Sequence, residues 1–146
     1  VNAQGGGHFG NALQAASWGG HEQIVKLLLD NKAEVNAQGG HYGNALQAAS
    51  FEGHEQIVKL LLDNKAEVNA QGGYHGNALQ AASDRGHEQI VKLLLDNKAE
   101  VNAQGGGHFG NALQAASWGG HEQIVRLLLE AGAYQHWEED PVLLLE

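Results

Sequence analysis

The chain has 146 residues, long enough for one compact domain with a sizeable buried core. Its 8 basic and 17 acidic side chains give a formal charge of −9, which argues against the basic surface that nucleic acid or anionic lipid requires. Cysteine is absent, which excludes disulfide bonds, thiolate metal sites and a cysteine nucleophile. No apolar run approaches the ~20 residues of a membrane-spanning helix.

Internal repetition organises the whole sequence. The string VNAQGG begins at four positions, at intervals of 34, 33 and 33 residues: Val1, Val35, Val68 and Val101. The sequence therefore predicts four units, about 1–34, 35–67, 68–100 and 101–133, followed by a tail of residues 134–146. Because a unit of this size cannot bury its own apolar face, stacked neighbours must bury it together in a solenoid.

Each unit contains two predicted helices, which the second copy illustrates. Asn44 is the expected N-cap of a short helix through Ser50, whose alanine-rich face lets a neighbour approach closely. Gly53 permits a chain reversal, and apolar residues at helical spacing then predict a second helix over His54–Asp63. In that helix a Glu and a Lys four residues apart form a favourable pair. The next string, residues 68–73, predicts a glycine-rich loop. We call this loop, together with the residues that lead from it to the next helix, the finger.

The repeating residues resemble the ankyrin repeat, whose second helix is preceded by a Gly-His turn and followed by a Val-Asn-Ala loop. The second copy matches the family pattern at Leu46, Ala49, Gly53, His54, Ile57, Val58, Leu60, Leu61, Leu62, Ala66, Val68, Asn69 and Ala70. The resemblance covers residues 1–133. It implies an all-α solenoid of helix-turn-helix units with glycine-rich hairpin fingers, and a concave face that binds other proteins.

The sequence departs from the family pattern at three places, two of them in every unit and one in three of the four units. Asn44-Ala45 replaces the usual Thr-Pro, and Gln47 replaces the usual histidine. The glycine that usually follows the second helix is kept in the fourth copy as Gly132. In the other three copies it is replaced by lysine, at Lys32, Lys65 and Lys98. A side chain in a left-handed turn costs about 1 kcal/mol, so each lysine is expected to destabilise its unit.

The four copies differ mainly at the tip of the finger and at the end of the first helix, while the apolar stripe is constant. In the ankyrin family these places line the concave face, so the resemblance implies that they contact a partner, and exposed aromatic side chains are frequent hot spots. The predicted partner-binding residues are His8, Phe9, Trp18, His41, Tyr42, Phe51, Glu52, Tyr74, His75, Asp84, Arg85, His108, Phe109 and Trp118. The alternative is that these positions differ through neutral drift of an unconstrained surface. Neutral drift, however, would also change residues on the outer face of the second helix, and that face does not vary among the first three copies.

Catalytic and metal chemistry are not expected. The histidines of the Gly-His turns are assigned a structural role, and the finger histidines recur once per unit, too far apart for one zinc ion because packed helices lie ~10 Å apart. A serine lies four residues before the turn histidine in all four copies, without an orienting acid or an oxyanion hole, which indicates a shared turn. We expect no enzyme activity, no metal and no cofactor.

The two ends of the array differ. The first copy is of the internal type, so an apolar edge near Leu13, Ile24, Leu27 and Leu28 lacks a cover and predicts weak self-association. The tail of residues 134–146 has two interpretations that apply to different parts of it. One is a cap on the last unit, and the other is an acidic tail that ends in a cloning scar.

The sequence thus predicts a non-catalytic scaffold that recognises a protein or peptide partner through a concave face formed by the fingers and first helices. It predicts binding neither to nucleic acid nor to a membrane. The alternatives are a structural test protein built from consensus repeats with no partner, or a ligand-sensing fragment of a larger fungal signalling protein. Val1 in place of an initiator methionine indicates a processed or trimmed start. Without a signal-peptide segment, a natural chain is expected in the cytoplasm, whereas an engineered one is a recombinant product.

Overall fold

The computed structural model describes residues 11–107 and 109–133. This part of the chain forms eight helices in four consecutive pairs: α1 (Ala12–Gly19), α2 (Glu22–Asp30), α3 (Ala45–Glu52), α4 (Glu55–Asp63), α5 (Ala78–Arg85), α6 (Glu88–Asp96), α7 (Ala112–Trp118) and α8 (Glu122–Glu130). The predicted all-α array is confirmed, and the first helix of the second copy extends two residues beyond Ser50. Isolated β-bridges, Gly39 with Gly43 and Gly72 with Gly76, close two fingers as narrow hairpins. Within the described residues, no helix has the length and apolar character needed to cross a membrane.

The helices form two layers. The first helices of the pairs (α1, α3, α5, α7) stack in one layer, where they contact one another more extensively than the second helices do. Ala45, Ala48 and Ala49 of α3 are buried, and such small side chains let neighbouring helices approach closely. The side of the array formed by the first helices is the one for which the sequence analysis predicts a concave, partner-binding face.

The second helices supply the larger core side chains. Ile57, Val58 and Leu61 of α4 are almost completely buried, as are the corresponding residues of α6. The predicted pair across one helical turn is present, with Lys59 Nζ 3.2 Å from Glu55 Oε2 on the exposed side of α4. Such exposed pairs contribute at most a few tenths of a kcal/mol, about 0.3–0.5 kcal/mol, so burial of the aliphatic stripe dominates the stability of the array.

Asn44 and Gln47 join local capping to the contact between pairs. Asn44 Oδ1 accepts a hydrogen bond from the Gln47 backbone N–H, and Gln47 Oε1 accepts one from the Asn44 backbone N–H, each at 2.8 Å. This is a capping box, and it confirms the predicted N-cap. Gln47 Nε2 also donates to the carbonyls of Gly72 and Gly76 in the next finger, at 2.9 and 3.0 Å. Gln47, which replaces the histidine of the family pattern, therefore links its own helix pair to the finger of the next pair by hydrogen bonds.

The Gly-His turns make a second connection between pairs. Gly53 has a φ of 86°, which allows the reversal into α4. His54 Nε2 lies 2.9 Å from the Trp18 carbonyl oxygen at the end of α1, so the ring N–H donates across the interface. His87 and His121 make the same contact with the ends of α3 and α5, at 2.8 and 3.1 Å. These contacts provide the structural role that the sequence predicts for three of the turn histidines.

The lysines that replace the family glycine adopt the expected backbone conformation. Lys32, Lys65 and Lys98 have φ values of 70°, 73° and 72°, and Gly132 at the corresponding position has a φ of 100°. A non-glycine residue in this region costs about 1 kcal/mol, so the array carries the same local strain three times.

The end pairs expose surfaces that the interior pairs bury. Ile24 of α2 is 48% exposed, whereas Ile57 at the corresponding position of α4 is 1% exposed. At the other end, Gln114 of α7 is exposed, whereas Gln80 of α5 is fully buried. The expectation that Leu13 lies on the uncovered edge is wrong, because α1 packs against α2 and α3 and places this side chain in the core. The predictions for residues 134–146 lie outside the described residues.

Candidate partner-binding groove

Two rows of side chains lie along the fingers and the ends of the first helices, and together we call them the groove rows. The finger row consists of the residues that precede a glycine of positive φ: Tyr42, His75 and Phe109. The helix row consists of residues at the ends of the first helices: Trp18, Phe51, Asp84 and Trp118. The glycines are needed for close approach as well as for φ, since a Cβ on Gly43 would lie 2.9 Å from the backbone of Gly72 in the next finger.

The two rows interlock into a ladder of rings across the first three pairs. The Trp18 and Tyr42 ring centroids are 6.3 Å apart, and those of Tyr42 and Phe51 are 5.3 Å apart. The ladder continues from Phe51 to the His75 ring at 4.9 Å. Each helix-row ring thus contacts the finger of the next pair, and these spacings are those of favourable aromatic contacts. The result is a continuous aromatic surface held between a rigid helix layer and the hairpin fingers.

A second tier of rings lies at the finger tips. The His41 and Tyr74 rings stack with centroids 5.3 Å apart and an interplanar angle of 18°. Each of these two rings also contacts the finger-row ring of its own finger edge-on: His41 contacts Tyr42, and Tyr74 contacts His75. The backbone supports this arrangement, because the Tyr74 N–H donates to the His41 carbonyl at 2.9 Å. Adjacent fingers are therefore joined by both main-chain and ring contacts.

The ladder changes character at the third pair. His75 Nε2 lies 3.1 Å from Asp84 Oδ2, so a polar pair stands where the neighbouring pairs have two rings. His75 is 8% exposed. This burial lowers the pKa of the His75 imidazole, and the hydrogen bond and negative charge of Asp84 oppose the shift without reversing it. Burial therefore favours the neutral imidazole, and His75 connects Phe51 to Asp84.

Arg85 adds a cation above the ladder. Its guanidinium carbon lies 4.6 Å from the centroid of the Phe51 ring, within the range of a cation–π contact. Arg85 is exposed, whereas Phe51 and Glu52 are half-buried. Since the guanidinium covers one face of Phe51, the third pair gives the groove a charged centre between aromatic ends.

The last described pair carries a separate aromatic contact. The Phe109 and Trp118 ring centroids are 6.0 Å apart. Trp118 is 77% exposed, whereas Trp18, the same residue in the first pair, is half-buried against Tyr42. The difference arises because Trp18 has the finger of a following pair beside it. The two identical tryptophans are therefore not equivalent in their surroundings.

The structure brings most of the predicted binding residues together. Six rings form one connected cluster with Asp84 and Arg85 at its edge: Trp18, His41, Tyr42, Phe51, Tyr74 and His75. Phe109 and Trp118 form the second cluster, and Glu52 lies at the end of α3 beside Phe51. His75 is 8% exposed and packs between Phe51 and Asp84, and its contact with a partner stays a prediction. His8, Phe9 and His108 lie outside the described residues.

The sequence analysis missed the glutamines that hold the fingers in place. Gln14 Nε2 donates to the Gly43 carbonyl at 2.8 Å, at the base of the finger that carries Tyr42. Gln47 does the same for the finger that carries His75. The available signal was that each glutamine lies three residues after a capping asparagine in every copy. That spacing indicated a capping box, but the reach of the amide into the next finger depends on the stacking of the pairs.

The arrangement of the remaining polar groups offers no metal-binding cluster within residues 11–107 and 109–133. Three turn histidines use Nε2 for a backbone carbonyl, which removes that nitrogen from other chemistry. The groove chemistry of the described residues is therefore that of a contact surface: stacked rings, one guanidinium and a small number of carboxylates.

Comparison with known proteins agrees with the repeat architecture. Two family models, both described as ankyrin repeats, match residues 2–72 and 79–129. A 35-residue segment, 24% of the chain, is 63% identical to the azaphilone pigments biosynthesis cluster protein L of Monascus ruber. The matched segment is 7% of that protein's length. Ankyrin repeats generally mediate protein–protein interactions, and proteins built from them are typically non-catalytic scaffolds.

Proposed function

Because the chain belongs to the ankyrin repeat family, we propose that it is a non-catalytic scaffold that binds a protein or peptide partner along the groove rows. The single observation that carries this proposal is the aromatic ladder from Trp18 to His75, built on positions where most of the differences between the copies fall. A constant apolar stripe combined with variable finger tips and helix ends favours a surface specialised for recognition.

The physical basis of binding is preorganisation. The rings are held by each other and by fingers that the glutamine amides fix, so few rotamers remain to be ordered when a partner arrives. Tyr74 on the third finger and Trp118 at the end of α7 are large exposed rings that are available as anchors. Arg85 above Phe51 favours a partner that places a carboxylate or carbonyl oxygen opposite the third pair.

The test is selection of phage-displayed random peptides on the immobilised chain, followed by affinity measurement on variants. Tyr74→Ala combined with Trp118→Ala removes two exposed rings and is expected to weaken the selected peptides by about tenfold or more. Because both rings are exposed, the melting temperature of this variant is expected to stay close to that of the wild type.

The matched control is Gln56→Ala combined with Gln89→Ala, on exposed positions of α4 and α6. This variant is expected to bind the selected peptides as the wild type does. If the peptides bind the groove variant unchanged, or lose binding to both variants alike, the groove is not the recognition surface. If no peptide is enriched over blank beads, the result favours the alternative of a structural repeat protein without a partner.

A second activity is favoured by the exposed edge of the first pair. Ile24 and Leu27 are large apolar side chains of α2 that remain in solvent, 48% and 61% exposed. Apolar surface of this kind promotes association. We therefore infer weak, concentration-dependent self-association through the first pair, and a polar capping unit fused before Val1 is expected to abolish it.

A further inference from the structure

The two ends of the array display opposite halves of one interface. We call the uncovered side of the first pair the leading face, which includes His21, Ile24 and Leu27. We call the uncovered side of the last pair the trailing face, which includes Gln114, Ser117 and Leu129. Inside the array the same two kinds of face meet three times, once at each junction between consecutive pairs.

The interior junctions show what each half contributes. From the following pair come an isoleucine that becomes buried, such as Ile57, and a turn histidine whose ring reaches back. From the preceding pair come a buried serine, such as Ser17, and the carbonyl oxygen of residue 18 that accepts from His54 at 2.9 Å. The preceding pair also supplies the glutamine amide that donates into the following finger.

Within residues 11–107 and 109–133, the first and last pairs carry these elements in exposed positions. His21 and Ile24 correspond to His54 and Ile57, and both are exposed. Gln114 and Ser117 correspond to Gln80 and Ser83, which are fully buried, and both are exposed. The sequence of the last pair from Gly110 to Val125 repeats that of the first pair from Gly10 to Val25 without a difference. The two faces therefore carry the same residue types that meet across the interior junctions.

We propose that the trailing face of one copy binds the leading face of a second copy, so that chains assemble head to tail. This rests on the self-association proposed above and is independent of partner binding in the groove. In the contact, the His21 ring meets the end of the second copy's α7, as His54 meets the end of α1, and Ile24 is buried as Ile57 is. Because the contact is heterologous and does not close on itself, the expected assemblies are open-ended and grow with concentration.

Head-to-tail contact is favoured over a symmetric pairing of leading faces. The donors of the leading face require carbonyl oxygens at a first-helix end, and only a trailing face supplies them in the interior geometry. Association between chains also loses translational and rotational freedom that the covalent array does not, so it is weaker than the interior junctions. Each copy carries a formal charge of −9, so salt is expected to strengthen the contact by screening the repulsion.

The test is sedimentation velocity over a concentration series with one variant on each face. Ile24→Glu places a charge on the leading face, and Ser117→Glu places one on the trailing face. Both positions are exposed, so each variant is expected to fold, which circular dichroism checks, and Leu27→Glu and Gln114→Glu serve as second variants. Gln56→Glu adds the same charge to an exposed position of α4 and is expected to associate as the wild type does.

Mixing the two variants gives the decisive measurement. Each alone is expected to remain a monomer, whereas an equimolar mixture is expected to form a dimer, since one variant keeps a trailing face and the other a leading face. Persistent association of Ser117→Glu alone would show symmetric contact of leading faces and overturn the proposal. Persistent association of Ile24→Glu alone would overturn it too, as would a strictly monomeric wild type at millimolar concentration. Tyr74→Ala with Trp118→Ala, tested for peptide binding, reports on the groove proposal separately.

Discussion

Helix pairs 2 and 4 are built from nearly the same residues, but within the described residues only pair 2 is followed by another pair. Gln47 of pair 2 is buried and donates to two carbonyls of the next finger, whereas Gln114 of pair 4 is exposed. Gly53 lies beneath the ring of His87, whereas nothing lies within 4 Å of a Cβ placed on Gly120. Identical residues thus contribute differently to stability, depending on whether another pair follows them. The same substitution made at corresponding positions therefore measures how much the contact between two pairs adds to the free energy of unfolding.

The largest difference is expected between Gln47→Ala and Gln114→Ala. Alanine at position 47 leaves the Asn44 N–H and the Gly72 and Gly76 carbonyls without their side-chain partner and creates a cavity, at a cost of about 2–4 kcal/mol. Alanine at exposed position 114 is expected to cost under about 0.5 kcal/mol. Urea unfolding of both variants measures the difference. Equal losses would mean that the hydrogen bonds of Gln47 to the next finger do not contribute to stability.

Glycine substitutions in the Gly-His turns separate backbone strain from packing. Gly53 and Gly120 have φ values of 86° and 73°, so alanine strains the backbone at both positions. A Cβ at position 53 would also lie 2.6 Å from the His87 ring. Gly53→Ala is therefore expected to cost about 2–3 kcal/mol and Gly120→Ala about 1 kcal/mol.

The comparison is sharpened by the variant pair Gly53→Ala and His87→Ala, measured singly and together. Removing the ring relieves the contact, so the double variant is expected to be more stable than the sum of the single losses indicates. Strict additivity in thermal unfolding would show that the ring moves aside at no cost and that φ alone explains the loss.

A smaller effect, and one that does not depend on neighbours, is expected at the lysines of positive φ. Lys32, Lys65 and Lys98 share nearly the same φ although they follow different pairs. Replacement by glycine is expected to stabilise the chain by about 0.5–1 kcal/mol at each position, with similar values at all three. Gly132→Lys is the reverse control and is expected to destabilise by a similar amount. Unequal gains among the three sites would mean that contacts beyond the backbone contribute.

The smallest effect is expected in the dependence of stability on pH. Burial lowers the pKa of His75 in the folded chain, so the unfolded chain binds the proton first as the pH falls through about 6.5, the ordinary histidine value. The unfolding free energy is therefore expected to decrease on acidification from neutral pH. In His75→Phe, which installs the residue found at this position in pair 4, the decrease is expected to be shallower. A decrease of unchanged steepness in urea titrations at several pH values would contradict the burial of a neutral His75.

Local features of the fold were predictable because they depend on a few adjacent residues. Asn44 was identified as an N-cap because a short polar side chain before an apolar run can accept from the first turn. The lysine turns were identified because a left-handed residue commonly terminates a helix, whatever the helix packs against. The period of 33 residues indicated stacking because one unit alone cannot bury its aliphatic stripe.

The candidate groove was predictable only as a set of positions. The sequence gives no sign that Trp18 packs against Tyr42 or that His75 is buried between Phe51 and Asp84. These contacts join residues of consecutive units, and their distances depend on how far the pairs are displaced and rotated. For the same reason the sequence analysis placed Leu13 on the uncovered edge, although α2 and α3 enclose it.

The sequence by itself determined the helical unit, its caps, its turns and its number of copies in a row, because hydrophobic period, glycine placement and capping are properties of short segments. The tertiary structure decided which copies of a repeated residue are buried and stabilise the fold, and which copies are exposed to solvent. Ser83 and Ser117 have the same neighbours in sequence immediately before them, but one is fully buried and the other exposed. Burial and hydrogen bonding between units require a second surface, and only the stacked array shows whether that surface is there.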